Sequence, residues 1–245
     1  MNNDTWSPIV ELRQYTLHPG RRDALIGLFD SEFVESQEDT GIKVIGQFRD
    51  LDDPNTFVWL RGFPSMAQRA RSLASFYDGP IWQQNRGAAN ATMIDSDNVL
   101  LLRPARPNST FQLDRERPVG NELHPGIVEA TILYFKTLAD SAISATFEQE
   151  IAPAVQSLGG TILGSFVTEP SANTFPRLPV REGECVFVWF AGFAENTKRD
   201  SVLTAIEPIA GLQDQPQVLR LDPTSRSLLT ARCKPCLLAA PNTRL

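Results

Sequence analysis

Four residues on two short stretches carry the chemistry that can be read in this chain. Glu11, Arg13 and Tyr15 alternate along Ile9 to Leu17 (IVELRQYTL), and Arg61 closes the run Phe57-Val58-Trp59-Leu60-Arg61-Gly62-Phe63. A carboxylate, two guanidiniums and a phenol at every second position fall on one face of a strand. Such a set can hold an oxyanion or a carboxylate with the arginines, donate a hydrogen bond or proton from the tyrosine, and orient a ligand or act as a base through the glutamate. Phe57 and Trp59 share that face and would supply an apolar wall. The competing reading makes Glu11, Arg13 and Arg61 a structural ion-pair network, with the tryptophans as core filler, because ion-pair networks and active sites look alike at this level.

The second stretch recurs. Phe187-Val188-Trp189-Phe190-Ala191-Gly192-Phe193 repeats it after 130 residues, with five of seven positions identical. Gly126-Ile127-Val128-Glu129 likewise echoes Ile9-Val10-Glu11. The second copy keeps Glu129 and Trp189, but Thr131, Leu133 and Ala191 replace the arginine, the tyrosine and the second arginine. The expectation is one asymmetric pocket, charged on the first half and apolar on the second. Trp59, Trp189, Glu129, Tyr77 and Trp82 are its candidate substrate-binding residues, the last two closing one mouth.

The elements that must position these groups follow a common order. A strand over Ile9 to Leu17 precedes a helix from Arg21 to about Gln37, on which Leu25, Leu28, Phe29 and Phe33 fall at helical spacing. Strands over Ile42 to Arg49 and Thr56 to Phe63 form a hairpin around a polar turn. Ser65 caps a helix carrying Met66, Ala70, Leu73 and Phe76. A short helix over Trp82 to Asn90 and a strand over Asn98 to Arg103 complete a βαββαβ unit. Arg69, Arg71 and Arg86 read as a solvated face. The cycle restarts with a helix over Asp140 to Leu158, kinked at Pro153, a strand over Gly160 to Glu169, and a long loop, Pro170 to Gly183, in place of the short turn. The repeated strand, a helix over Glu195 to Leu212 and a last strand over Arg226 to Arg232 follow.

The fold class is therefore α+β: two tandem ferredoxin-like units that pair their antiparallel sheets into an intramolecular barrel. The units span residues 1–104 and 126–232, joined by a Pro-rich linker at 105–125 and followed by a tail at 233–245. With Val10, Leu12, Val58 and Leu60 turned to the helices, Glu11, Arg13, Tyr15, Trp59 and Arg61 would line the barrel interior.

The motifs Val10 to Gly20, Gly46-Gln47-Phe48-Arg49, Asn55 to Phe63 and Pro80-Ile81-Trp82 resemble the NIPSNAP family of the dimeric α/β-barrel superfamily. The resemblance spans the first 105 residues or so; in the second half mainly Glu129 and the repeated strand match. It implies a ferredoxin-like unit whose sheets pair into a barrel, as the residue pattern does. Related barrels include small antibiotic-biosynthesis monooxygenases, haem-degrading enzymes and lyases. What it implies about function is a cofactor-independent, monooxygenase- or lyase-like enzyme acting on an aromatic or polyketide-type substrate. The alternative is a non-catalytic ligand-binding or protein-interaction module.

Composition narrows the classes. A net charge of −6 argues against nucleic acid and anionic lipid as partners. No apolar run approaches a membrane span, and the first residues show no signal-peptide pattern, so a cytoplasmic protein is expected, either a monomeric pseudo-dimer or a homodimer of it. No cofactor or metal is expected. Cys233-Lys234-Pro235-Cys236 lacks a second ligand pair, His18 and His124 are not paired, and a haem lacks an axial histidine. No Gly-x-Ser-x-Gly or phosphate-binding glycine loop occurs.

Overall fold

In the computed structural model, residues 7–113, 116–118, 124–138, 141–194, 214–236 and 238 are described. Strand β1 (Ile9–Leu17) leads into a helix α1 over residues 22–38. Strands β2 (Lys43–Asp50) and β3 (Thr56–Phe63) form a hairpin. Helices α2 (Met66–Asp78) and α3 (Pro80–Asn90) follow, then β4 (Met93–Pro104). In the second half, β5 (Ile127–Phe135) is followed by a helix α4 over residues 141–157, β6 (Thr161–Thr168), β7 (Cys185–Phe193) and β8 (Gln217–Pro223).

The strand order is β1-β3-β2-β8-β5-β7-β6-β4, closing back on β1. Every ladder is antiparallel. The two four-stranded sheets meet at β2–β8 and β4–β6, so the chain closes within itself the barrel that two separate units would need a dimer to form, and leaves no open sheet edge.

All eight strands contribute to one apolar cluster, with Val10, Leu12, Phe48, Val58, Leu60, Leu100, Val128, Phe166, Phe190 and Leu221 among its members. This cluster is the barrel interior. A barrel of eight strands has room for side chains and little else. Phe111 from the linker and Leu228 and Leu229 from the C-terminal segment pack into it as well. The linker thus belongs partly to the core.

The strand faces are the reverse of the sequence expectation. Val10, Leu12, Val58 and Leu60 point into the barrel, and Glu11, Arg13, Tyr15, Trp59 and Arg61 point outward under the helices. Alternation defines two faces without saying which is inner. The driest surface is the one both halves share, and it takes the aliphatic side chains.

Both halves place a π turn in their first helix, at Phe29–Phe33 and at Phe147–Ile151. The turn forms in the first half without proline, so Pro153, which follows it in the second, is not its cause. Both halves also keep a Gly-x-Phe bulge. A Cβ on Gly46 would lie 2.6 Å from the Phe48 ring, and one on Gly164 would lie 2.8 Å from the Phe166 ring. The repeated Gly62 and Gly192 are explained in the same way, by close approach of Ser7 and of the Ala231 backbone.

Two element expectations change. The last strand is Gln217–Pro223, not residues 226–232, because Leu228 and Leu229 turn inward as a plug while Leu219 and Leu221 continue the ladder to β5. Strand β4 begins at Met93, five residues before the expected start. The helix expected over 195–212 lies outside the described residues.

Candidate functional site

Glu11 is the centre of the site. In the ladder it stands opposite Arg61 on β3, and Arg13 stands opposite Trp59. Its Oε2 accepts from Arg13 Nη1 at 2.6 Å and from Arg61 Nε at 2.7 Å, and its Oε1 accepts from Arg69 Nε at 2.6 Å. All four side chains are fully buried. Three guanidiniums share one carboxylate, which leaves two positive charges in excess. Burial alone would raise the Glu11 pKa, but Arg61, Arg13 and Arg69 together hold it well below the carboxylate range. Arg69 is pushed below its ordinary value by burial, with Glu11 opposing and Arg61 and Arg13 adding to the push.

Arg69 corrects the sequence reading, which placed it on a solvated face with Arg71 and Arg86. On α2 the buried residues are Arg69, Ser72, Leu73 and Phe76. Arg69 is three residues after Met66 and four before Leu73, so it shares the apolar stripe. That spacing was the available signal. Arg71 and Arg86 do stay at the surface, Arg71 donating to Gln68.

The remaining donors are partly engaged. Arg13 Nε donates to the Tyr15 hydroxyl at 2.9 Å, and Arg61 Nη1 donates to Gln37 Oε1 at 3.2 Å and to the Tyr77 hydroxyl at 3.5 Å. Among the described residues, Arg61 Nη2, Arg69 Nη2 and Trp59 Nε1 find no hydrogen-bond partner. A buried guanidinium N–H without an acceptor is costly, and charge-assisted acceptors satisfy it best. Trp59 lies between two cations, with Arg13 at 5.5 Å and Arg61 at 5.0 Å from its ring. Burial raises the Tyr15 pKa against the pull of Arg13, so the phenol stays protonated.

Beside this cluster lies a cavity of about 30 Å³ lined by Tyr15, Phe33, Gln37, Trp59, Tyr77 and Trp82, among others. It sits between the first sheet and helices α1 to α3. That volume accommodates a water or a small anion, not an aromatic ring. Tyr77 and Trp82, 4.8 Å apart, line this cavity rather than a barrel mouth.

Trp189 and Glu129 are not brought to the site. Trp189 packs on Phe147 and Phe187 in a separate core of the second half. Glu129 stands opposite Ala191 and Arg220 on the neighbouring strands. His18 is exposed and His124 contacts the Ser225 carbonyl, both remote from the cluster. Among the described residues there is no group of three or more histidine, cysteine or acidic side chains that could hold a metal. Cys233 and Cys236 are free, buried thiols, and burial lifts Cys236 to about 12.

The loop from Pro170 to Gly183 was not expected to reach this half. Asn173 Oδ1 and Thr174 Oγ1 accept from Arg69 Nη1 at 2.9 and 3.2 Å, and Phe175 stacks on Tyr77 at 5.9 Å.

The fold is that of a dimeric α/β-barrel, closed here within a single chain. Residues 10–107 match the NIPSNAP family model. Over nearly the whole chain the fold resembles a candidate monooxygenase of Fusobacterium nucleatum, at 8% identity and TM-score 0.51, covering 89% of this chain and 93% of that one. It also resembles a candidate monooxygenase of Lactobacillus acidophilus, at 10% identity and TM-score 0.50, covering 96% and 100%. An uncharacterised NIPSNAP-like domain protein of Burkholderia xenovorans is 28% identical over 40% of this chain and 86% of its own, with TM-score 0.38. No curated protein matches the chain.

Proposed function

We propose that the first half binds a small anionic molecule, a carboxylate or an enolate-forming carbonyl compound, in the cavity between its sheet and helices. The observation that carries this reading is the buried cluster of three arginines on one glutamate, with Arg61 Nη2 and Arg69 Nη2 left without acceptors among the described residues. An oxyanion in the cavity would offset part of that excess charge from behind a wall made of the arginines' own partners, Tyr15, Gln37 and Tyr77, and of Trp59, whose Nε1 has no acceptor among the described residues. Tyr15 accepts from Arg13 and keeps its own proton to donate. Glu11 orients the three guanidiniums; with its pKa held so low it is a fixed counter-ion rather than a base. Such an arrangement stabilises charge that develops on oxygen, which is what cofactor-independent oxygenation or lyase chemistry next to a carbonyl requires.

A non-catalytic binding module is the second reading. It is favoured by the engagement of Glu11 and by the small cavity, which leaves no evident base. Turnover separates the two: oxygen consumption or product formation with an enolisable substrate supports the enzyme, and binding without turnover supports the module. The barrel is closed within one chain, so its closure needs no second copy, whether the protein is a monomeric pseudo-dimer or a homodimer of it. A thermal-shift screen of carboxylates against the matching alcohols tests the site itself. A rise in Tm confined to carboxylates and lost in Arg61→Met supports it; no shift with any anion overturns it.

A further inference from the structure

We infer that the second half completes the first half's site, with Asn173 as a positioning residue for Arg69 and Phe175 as part of the wall behind Tyr77. This rests on the anion-site reading for its ligand, but not for its geometry. The two copies are offset by 118 residues at Gly46 and Gly164 and by 130 at Phe57 and Phe187, so the extra 12 residues lie in the loop between β6 and β7. The corresponding turn of the first half, residues 51–55, stays short and meets Arg220 through the Leu51 N–H and Asp52.

The long loop is anchored on the first half. The Glu169 N–H donates to the Leu101 carbonyl and the Arg181 N–H to the Val99 carbonyl, both on β4. Its tip is fixed by Asn173, whose N–H donates to Glu182 Oε1 at 2.8 Å and whose Nδ2 donates to the Leu178 carbonyl at 2.8 Å. Asn173 Oδ1 is thereby aimed, and it accepts from both Arg69 Nη1 and the Phe175 N–H. Thr174 Oγ1 takes the same Arg69 donor and donates to the Met66 carbonyl. Phe175 and Leu178 join the first half's apolar cluster, and Arg177 pairs with Asp78 at the end of α2.

Two partners therefore fix Arg69 from opposite sides. Glu11 holds Nε, and the second-half loop holds Nη1. Nη2 stays buried without a partner among the described residues. Asparagine serves this role because it accepts without adding charge: an aspartate would cancel part of the excess that an anion must meet. The extension occurs on the strand pair that reaches the charged half and is missing from the pair of the charged half itself. One half keeps the polar cluster, and the other supplies its cover.

The test has two arms on the full chain. In the first, the Arg69 Nε–Hε cross-peak is observed by ¹⁵N NMR and assigned with Arg69→Lys. The expected result is a sharp, slowly exchanging signal that broadens or vanishes in Asn173→Ala and returns in Asn173→Asp, whose carboxylate can accept in the same place. An unchanged signal in Asn173→Ala overturns the inference. In the second arm, formate binding is followed by tryptophan fluorescence, since Trp59 and Trp82 line the cavity. Asn173→Ala and Asn173→Asp are each expected to weaken formate about tenfold or more, the latter despite its restored signal. Affinity equal to wild type in both variants also overturns the inference. Failure of the wild type to bind formate would instead remove the anion-site reading, and the NMR arm would still decide the role of Asn173.

Discussion

Arg61 and Ala191 occupy the same register position in the two halves: Arg61 faces Glu11 across β3 and β1, and Ala191 faces Glu129 across β7 and β5. The duplicated frame is intact at this pair, with glycine and phenylalanine following in both copies, while the chemistry is present on one side only. Removing Glu11 would strand three buried guanidiniums, whereas removing Arg61 would relieve one of two excess charges. Glu11→Gln is therefore expected to cost on the order of 3–5 kcal/mol, and Arg61→Met distinctly less, by urea denaturation at neutral pH. The reverse order would contradict the charge count.

Tyr15→Phe removes the acceptor of Arg13 Nε while leaving the ring contacts with Phe57 and Trp59. The orphaned buried donor is expected to cost about 1–3 kcal/mol, read as a lowered denaturation midpoint with an unchanged m-value. A neutral result would mean that water or another group replaces the phenol.

How far the site was legible in the sequence can be judged from these residues. Glu11, Arg13, Tyr15, Trp59 and Arg61 share a face because strand periodicity requires it, and repeat comparison set Arg61 apart. The side of the sheet was not legible, since period-2 alternation is symmetric and only the barrel's closure decides which face is dry. Arg69 was legible in principle from its place between Met66 and Leu73, but a charged residue on an apolar stripe is easily assigned to its solvated neighbours. Asn173 was not legible: nothing local tells a loop which half it will cover. The barrel itself followed from the element order, because two sheets with helices on one face must pair through the other.

The packed interior gives a prediction of its own. Phe166 meets Phe111 at 4.8 Å and Phe190 at 5.9 Å inside the barrel. Phe166→Ala is expected to cost about 3–5 kcal/mol and to leave anion affinity unchanged, as measured by chemical denaturation and titration of the folded variant. Loss of binding at full foldedness would place the ligand in the barrel after all.

Asp30, in the π turn of α1, accepts from Gln47 Nε2 at 3.2 Å. Burial raises its pKa to about 6, with Arg226, Arg49 and Arg117 opposing. A carboxyl raised in the folded state binds its proton more tightly there than in the unfolded chain, so its contribution to stability is greatest at low pH and is lost as pH rises from its unfolded value, 3.8, to about 6. Asp30→Asn should therefore match wild type near pH 4 and exceed it in Tm at pH 7. A constant difference across that range would show that Asp30 does not titrate in it.

The most direct test of the anion site is isothermal titration of the wild-type chain with formate and with formamide, which matches it in size without its charge, followed by the same titrations on Arg61→Met. The account predicts that formate binds at least about tenfold more tightly than formamide, that the preference shrinks as salt rises, and that Arg61→Met abolishes it while the folded spectrum is retained. Equal affinity for the two probes, or formate binding that survives the loss of Arg61, would contradict it.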